Sequence, residues 1–414
     1  MDKKFSDMSG GIHYVKAGWM IDGSGGPVRE NVLVTVKDSI LVEIDDFSDS
    51  DHPDSPLITD LSHCTILPPL VDCHVHLAMS GSTDLRKRQR QLTAGYRDRR
   101  ISIQDHLHYL FLHGVLAVRD GGDSNGDVLR YTEETEGGDT RVPVIVKSPG
   151  PAWYRDGRYG AFIGDHSGEG ESIGTAVARR IDSVDHIKMI NSGLNSFTEF
   201  ARETEPQFSV EEIQQIAAIT REKGKKLMVH ANGREPVRIA LDGGCDSLEH
   251  GFFMGEENLK RMAEKEITWV PTAITMKAIL DNWDLLDDGR CKKDVIVKTL
   301  NHQLEQIGRA HQYGVKIALG TDAGCRGVIH GESVVEEIRL LISAGYSLVE
   351  AIQSASGNGT QLLGIDEIGP IAKGRPAHFI VARATPAMLP RKLSCLEAVY
   401  LDGKPCGRAF FKKI

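Results

Sequence analysis

The 414-residue chain is predicted to be an α/β protein: a (β/α)8 barrel of the TIM type with a small β-sandwich domain formed from both chain ends. Three observations predict it. From Leu67 onward, apolar strand-like runs alternate with longer amphipathic stretches, the pattern of helix-connected strands on a parallel sheet. Eight such runs can be counted, and eight parallel strands favour a closed barrel over an open doubly wound sheet. The segments before and after them are short, β-like and divided by turn-prone stretches, so the two ends can pair into one small sheet domain. The expected division is residues 1–65 for the N-terminal part of the small domain, 66–364 for the barrel and 365–414 for the C-terminal part.

In chain order, His13-Tyr14-Val15-Lys16-Ala17 and Val32-Leu33-Val34-Thr35-Val36 read as strands broken by Gly23-Ser24-Gly25-Gly26-Pro27. The eight barrel strands are expected at residues 67–77, 115–120, 142–147, 186–191, 226–231, 247–251, 268–272 and 316–322. Between them, Ser209 with Glu212 and Ser333 with Glu336 fit capping-box spacing ahead of apolar-periodic runs. After Gly364, residues 377–382 and 398–401 return to short strands.

Composition narrows the function classes. The chain is 40% hydrophobic and 26% charged, with a formal net charge of -9 and no basic run, which argues against a phosphate-binding surface for nucleic acid. No segment approaches the roughly 20 apolar residues of a membrane helix, and residues 1–10 lack an apolar signal core. A cytoplasmic protein is therefore expected. The seven cysteines are scattered and form no CxxC pair, so neither a disulfide framework nor a thiolate zinc site is suggested.

The chemistry begins at Pro68-Pro69-Leu70-Val71-Asp72-Cys73-His74-Val75-His76. On a strand, two histidines one residue apart point to the same face and can hold one metal ion, or they can be ordinary hydrogen-bonded strand residues. Further polar residues fall at or near the predicted C-terminal strand ends, where barrels of this type carry their reactive groups: Lys188, His230, His250 and Asp322. A lysine inside the apolar run Ile187-Lys188-Met189-Ile190 is costly unless neutralised, paired or modified. Four histidines, a carboxylate and that lysine suit a divalent metal of the zinc or manganese kind.

Together with Ile-Lys-Met, Val-His-Ala-Asn-Gly, Leu-Glu-His-Gly and Leu-Gly-Thr-Asp-Ala-Gly in the same order, the opening motif resembles the amidohydrolase superfamily, in its binuclear branch of imidazolonepropionase-like and Xaa-Pro dipeptidase-like enzymes. The ending Ile368-Gly369-Pro370-Ile371-Ala372-Lys373-Gly374 is similar to that family's closing β domain. The resemblance implies two divalent metal ions, zinc by preference, with Lys188 carboxylated and bridging them. It gives His74, His76 and Asp322 to one ion and His230 and His250 to the other. Asp322 would also be catalytic, accepting the proton of a metal-activated water and passing it to the leaving amine. Deaminase members usually carry a glutamate two residues beyond the strand-five histidine; Asn232 stands here and disfavours deamination. It also departs from the histidine or tyrosine often found there in the dipeptidase-like branch.

Substrate contacts are expected from the long segment 148–160, whose Tyr154, Arg155 and Arg158 either clasp a substrate carboxylate or belong to a solvated loop. Asn232, Arg326 and His330 are further candidates. His186 reads as a barrel-core residue, and Asp72 either as a group orienting a ligand or as one satisfying backbone donors. His106, His108 and His113 read as packing or surface residues.

These readings predict a metal-dependent hydrolase that cleaves a carbon–nitrogen amide bond of a small molecule, most plausibly a dipeptide or N-acyl amino acid. The alternatives are a cyclic amidase or lactonase using the same centre, and, from a different class, a non-catalytic barrel used for binding. The expected partner is a small-molecule substrate, with homo-oligomerisation left open.

Overall fold

The computed structural model describes residues 11–47, 58–136, 142–286, 289 and 291–406. Strands β1 (Ile12–Met20), β2 (Arg29–Lys37), β3 (Ile40–Asp46) and β4 (Ile58–Leu67) come first. They join the late strands β14 (Phe379–Ala382), β15 (Ala398–Leu401) and β16 (Lys404–Pro405), numbered after the nine between, in one seven-stranded sheet of order β16-β15-β14-β4-β1-β2-β3. The β1–β4 pair is parallel and the other pairs are antiparallel. Alternation along β14 sends Phe379 and Val381 into a cluster with Val15, Val32 and Val34, whereas Ile380 and Ala382 join the main core. Among the described residues the two chain ends thus form a single mixed sheet, one face covered by its own small core and the other by the body of the protein.

The rest of the sheet structure is parallel. Strands β5 (Leu70–Val75), β6 (Val115–Asp120) and β7 (Ile145–Lys147) make one sheet. Strands β8 (Ala152–Trp153), β9 (Gly164–Asp165), β10 (Ile187–Ile190), β11 (Leu227–Ala231), β12 (Ser247–His250) and β13 (Thr268–Val270) make another, of order β13-β12-β11-β10-β8-β9. Both are packed by helices whose apolar residues, among them Ile213, Ile216, Val237 and Ile338, belong to one continuous core.

Three expected strands differ in a way that has a physical cause. The run 67–77 is divided: Leu67 ends β4 in the mixed sheet and Leu70 opens β5, because Pro68 and Pro69 have no N–H to continue a ladder. The run 142–147 shortens to β7, and after Ser148-Pro149-Gly150-Pro151, with Gly150 at φ 63°, the chain resumes as β8 in the other sheet. The run 316–322 is no continuous strand, although it links the two sheets. Ala318 donates to the Trp269 carbonyl at 3.0 Å on the β13 side, while Cys73 donates to the Leu319 carbonyl at 2.8 Å and Asp322 to the His74 carbonyl at 2.7 Å on the β5 side. Its ladder is interrupted because the buried Asp72 carboxylate accepts both the Thr321 N–H, at 2.9 Å, and the Thr321 hydroxyl, at 2.6 Å.

Helix Val210–Glu222 begins with the expected Ser209/Glu212 capping box. Helix Glu332–Ser343 starts one residue before Ser333, after Gly331 in a left-handed conformation, so no Ser333/Glu336 box forms and the Ser333 hydroxyl accepts the Ile329 N–H instead. A box that sequence reading missed, Ser347/Glu350, opens helix Leu348–Ser354.

Candidate metal centre

His74 lies on β5 and His76 one residue past its end, and each imidazole is held by its Nδ1. The His74 nitrogen is 2.8 Å from Glu249 Oε2, and that of His76 is 3.0 Å from the Gly122 carbonyl. Both Nε2 atoms therefore face the same space, where Asp322 Oδ1 stands 3.3 Å from His76 Nε2 and 3.7 Å from His74 Nε2. These three residues could hold a metal ion, their ligand atoms lying within 4.8 Å of one another. Lys188, His230 and His250 line the same cavity. The His250 ring is 4.8 Å from that of His74 and 4.5 Å from that of His230, centroid to centroid. All six expected ligand positions are thus brought together.

The backbone explains how neighbouring residues of one strand reach one centre. Glu249 already occupies the inward position on β12, where it meets His74, so the next residue of a regular strand would point away. His250 turns inward through a left-handed backbone, φ 66°, and its Nδ1 is fixed 2.7 Å from the Thr272 hydroxyl. Asp322 is also left-handed, at φ 60°. Such conformations are costly for residues with a Cβ and cluster at functional sites. Gly121 provides the clearance: a Cβ there would lie 2.6 Å from His76 Cε1 and 3.1 Å from His74 Nε2.

The electrostatics suit cation binding. Burial, reinforced by Lys188, drives His74 well below the ordinary imidazole range and His230 down to about 4, so both are neutral at physiological pH. Burial lowers Lys188 to about 8, even against the opposing pull of Glu249. Burial raises Asp322, but the imidazoles of His76, His74 and His250 outweigh it and keep the carboxyl ionised. Lys188 Nζ and Asp322 Oδ1 are both buried without a hydrogen-bond partner. A buried, ionised carboxylate oxygen without a hydrogen-bond partner, beside the Nε2 atoms of His74 and His76, is a group a divalent cation would satisfy, so these residues fit a metal centre.

The expected substrate contacts divide. Asn232 and Arg326 line the cavity. Arg155 does not, since its guanidinium is committed to Glu212 at 2.7 Å and to the Gln207 carbonyl. Arg158 donates to the Glu205 carbonyl at 2.9 Å, and Tyr154 is buried against Met79 and Ile163 in a separate small cluster. His330 is buried behind the site, stacked on His106 with centroids 4.1 Å apart. The loop 148–160 instead contributes Tyr159, whose ring is 5.8 Å from that of His230. Asp72 orients no imidazole; its carboxylate serves Thr321 and the His74 backbone N–H.

Sequence reasoning also missed the support beneath the ligands. Arg119 Nη2 lies 2.8 Å from Glu249 Oε1, its Nε donates to the Cys73 carbonyl at 2.8 Å, and its Nη1 donates to Ser247 at 2.9 Å. The available signal was the pair Ser247 and Glu249, two residues apart and so on one face of the short strand β12. Arg88 and Cys325 also line the cavity, and the Cys325 thiol donates to Asp322 Oδ2 at 3.2 Å.

A candidate metal centre at the C-terminal ends of parallel strands, above a buried polar network, is the arrangement found in metal-dependent hydrolases. The amidohydrolase family profile matches residues 65–406, and the chain belongs to that family, a hydrolase acting on carbon–nitrogen bonds. It is similar to ochratoxinase of Aspergillus niger, 26% identical over 91% of this chain and 82% of that protein. It is also similar to imidazolonepropionase of Clostridium tetani, 25% identical over 86% and 84% of the two chains. Among solved structures, a Xaa-Pro dipeptidase with bound methionine in its active site superposes with a TM-score of 0.80 at 25% identity, covering 96% of this chain and 100% of that one. Family and neighbours imply a TIM-type barrel. No helix among the described residues is long and apolar enough to cross a membrane.

Proposed function

We propose that this chain is a binuclear metal-dependent amidohydrolase that cleaves the amide bond of a dipeptide or N-acyl amino acid. The observation that carries the reading is Lys188: a buried lysine nitrogen with no hydrogen-bond partner, in a cavity shared with four imidazoles and the orphaned Asp322 oxygen. Lowering Lys188 to about 8 increases the fraction present as free amine, which can add carbon dioxide, forming an N–C bond and releasing a proton, and the resulting carbamate is an anionic oxygen ligand. In this reading His74, His76 and Asp322 would hold one ion and His230 and His250 the other, with carboxylated Lys188 as a shared ligand; zinc matches the imidazole-rich set. When bound, such ions polarise the scissile carbonyl and acidify water.

The chain's own residues carry the remaining steps. Asp322 receives the proton of the attacking water and returns it to the leaving nitrogen. Glu249, charge-balanced by Arg119, fixes the His74 tautomer and the direction of its Nε2. The architectural counterpart is a closed (β/α)8 barrel over residues 66–364, sealed by the 316–323 segment between β13 and β5, with residues 1–65 and 365–414 supplying the small domain. Seven scattered cysteines with no CxxC pair fit a cytoplasmic enzyme. The test is a screen of purified, metal-replete protein against dipeptides, N-acyl amino acids and cyclic amides. Chelator-sensitive hydrolysis of the linear amides supports the reading, and turnover of rings alone would replace it with a cyclic amidase.

A further inference from the structure

The cavity above the six proposed ligands has a volume of about 270 Å³ and opens to solvent, and its character changes with height. Titratable groups gather at the floor, whereas the walls are apolar. They come from three separate segments: Phe162 after β8, Leu194 and Phe197 after β10, and Met276 and Ile279 on helix Ile274–Asp281 after β13. Phe162 and Leu194 remain 42% and 54% exposed, an apolar rim at the mouth. Large apolar side chains kept in water from independent loops around one opening mark a surface that a ligand covers. A substrate as small as an acetylated amino acid would leave those walls wet.

The charge is as uneven as the polarity. Among the described residues, Asp322 is the only carboxylate in the lining, beside two guanidinium groups, Arg88 and Arg326. Arg88 is pinned by the Ser80 and Gly324 carbonyls and lies within electrostatic reach of both Arg326 and Asp322. Arg326 Nε is buried with no hydrogen-bond partner. Two cations, one with an unmet donor, form a receptor for a planar anion such as a carboxylate. They stand next to Asp322, the group that protonates the leaving nitrogen, so the carboxylate belongs to the amine half of the substrate. The apolar walls are then left to the acyl half.

Resting on the amide-hydrolase reading above, we infer that the substrate is amphiphilic: an amino acid whose free carboxylate is taken by Arg326 and Arg88, and whose nitrogen carries a long-chain or aromatic acyl group seated against Phe162, Leu194, Phe197, Met276 and Ile279. Hydrolysis breaks the acyl C–N bond, adds water oxygen to the acyl carbon and releases the free amino acid and a fatty or aromatic acid.

The experiment measures kcat/KM of metal-replete protein on racemic N-acetyl-, N-hexanoyl- and N-decanoyl-phenylalanine, each as free acid and as methyl ester at the carboxyl. The expected result is a rise of about tenfold or more from acetyl to hexanoyl, a further rise to decanoyl, and a preference for acid over ester. In Arg326→Gln that preference collapses through KM, while Phe197→Ala flattens the chain-length series. Equal rates on acetyl and decanoyl substrates, or no preference for the acid, would overturn the inference and leave the hydrolase reading standing. No hydrolysis of any member would remove both.

Discussion

Glu249 Oε2 lies 2.8 Å from His74 Nδ1, and the other oxygen of the same carboxylate lies 2.8 Å from Arg119. All three side chains are buried, so the direction of His74 Nε2 is set by a charged pair that cannot relax into water. Replacing Glu249 by Gln is expected to lower metal affinity or turnover by about 10–100-fold. Leaving Arg119 as an uncompensated buried cation is expected to cost about 3–5 kcal/mol of stability. Metal titration and denaturant unfolding of the purified variant check the two effects separately.

Lys188 sets function against stability. In metal-free protein its buried, unpartnered nitrogen is a liability, so Lys188→Met is expected to be more stable than the chelated parent by about 1–3 kcal/mol, and so to melt at a higher temperature, while losing hydrolysis. A variant that kept full turnover would show that the lysine is no ligand. Thermal melts in chelator alongside initial rates decide it.

Gly121 tests the clearance of the site without removing a ligand. The Cβ of Gly121→Ala would meet the rings of both His76 and His74, and displacing them by an ångström is expected to reduce turnover about 100-fold in a folded protein. Circular dichroism together with metal content separates this outcome from misfolding.

How much of this was legible can be judged residue by residue. The candidate ligands stood out because burying His74, Lys188 and His250 on strands is costly without partners, and a TIM-type barrel would send strand ends to one place. Arg119 and Glu249 were hidden because each satisfies the other across 130 positions of sequence, so the only local trace was Ser247 and Glu249 on one strand face. Arg155 and Arg158 failed as substrate contacts for the same reason: Gln207, Glu212 and Glu205, about fifty residues away, take their donors. His330 was misplaced because the turn at Gly327 and Gly331, both with positive φ, tucks it behind the site onto His106. The strand breaks at Pro68-Pro69 and Pro149-Gly150-Pro151 were written in the residues, but only pairing partners reveal that the chain changes sheets there.

Glu337 gives a pH prediction away from the metal site. Its buried carboxyl accepts from the Ala273 and Ile274 N–H groups, yet burial pushes it up to about 8, well above the ordinary 4.5. A raised folded-state value means the native state binds this proton more tightly. The stabilisation is therefore complete below about pH 4.5 and is lost as pH rises toward 8, with a slope approaching about 1.4 kcal/mol per pH unit. Glu337→Gln is expected to flatten that part of the stability profile, measured by denaturant unfolding between pH 5 and 9. An unchanged slope would show that Glu337 does not titrate there.

The most direct test of the binuclear centre is metal analysis of active protein, paired with turnover of an N-acyl amino acid before and after chelation. The account predicts two equivalents of divalent metal per chain, loss of turnover with their removal and recovery when zinc and bicarbonate are restored. Active, unchelated protein carrying clearly fewer than two equivalents would contradict it.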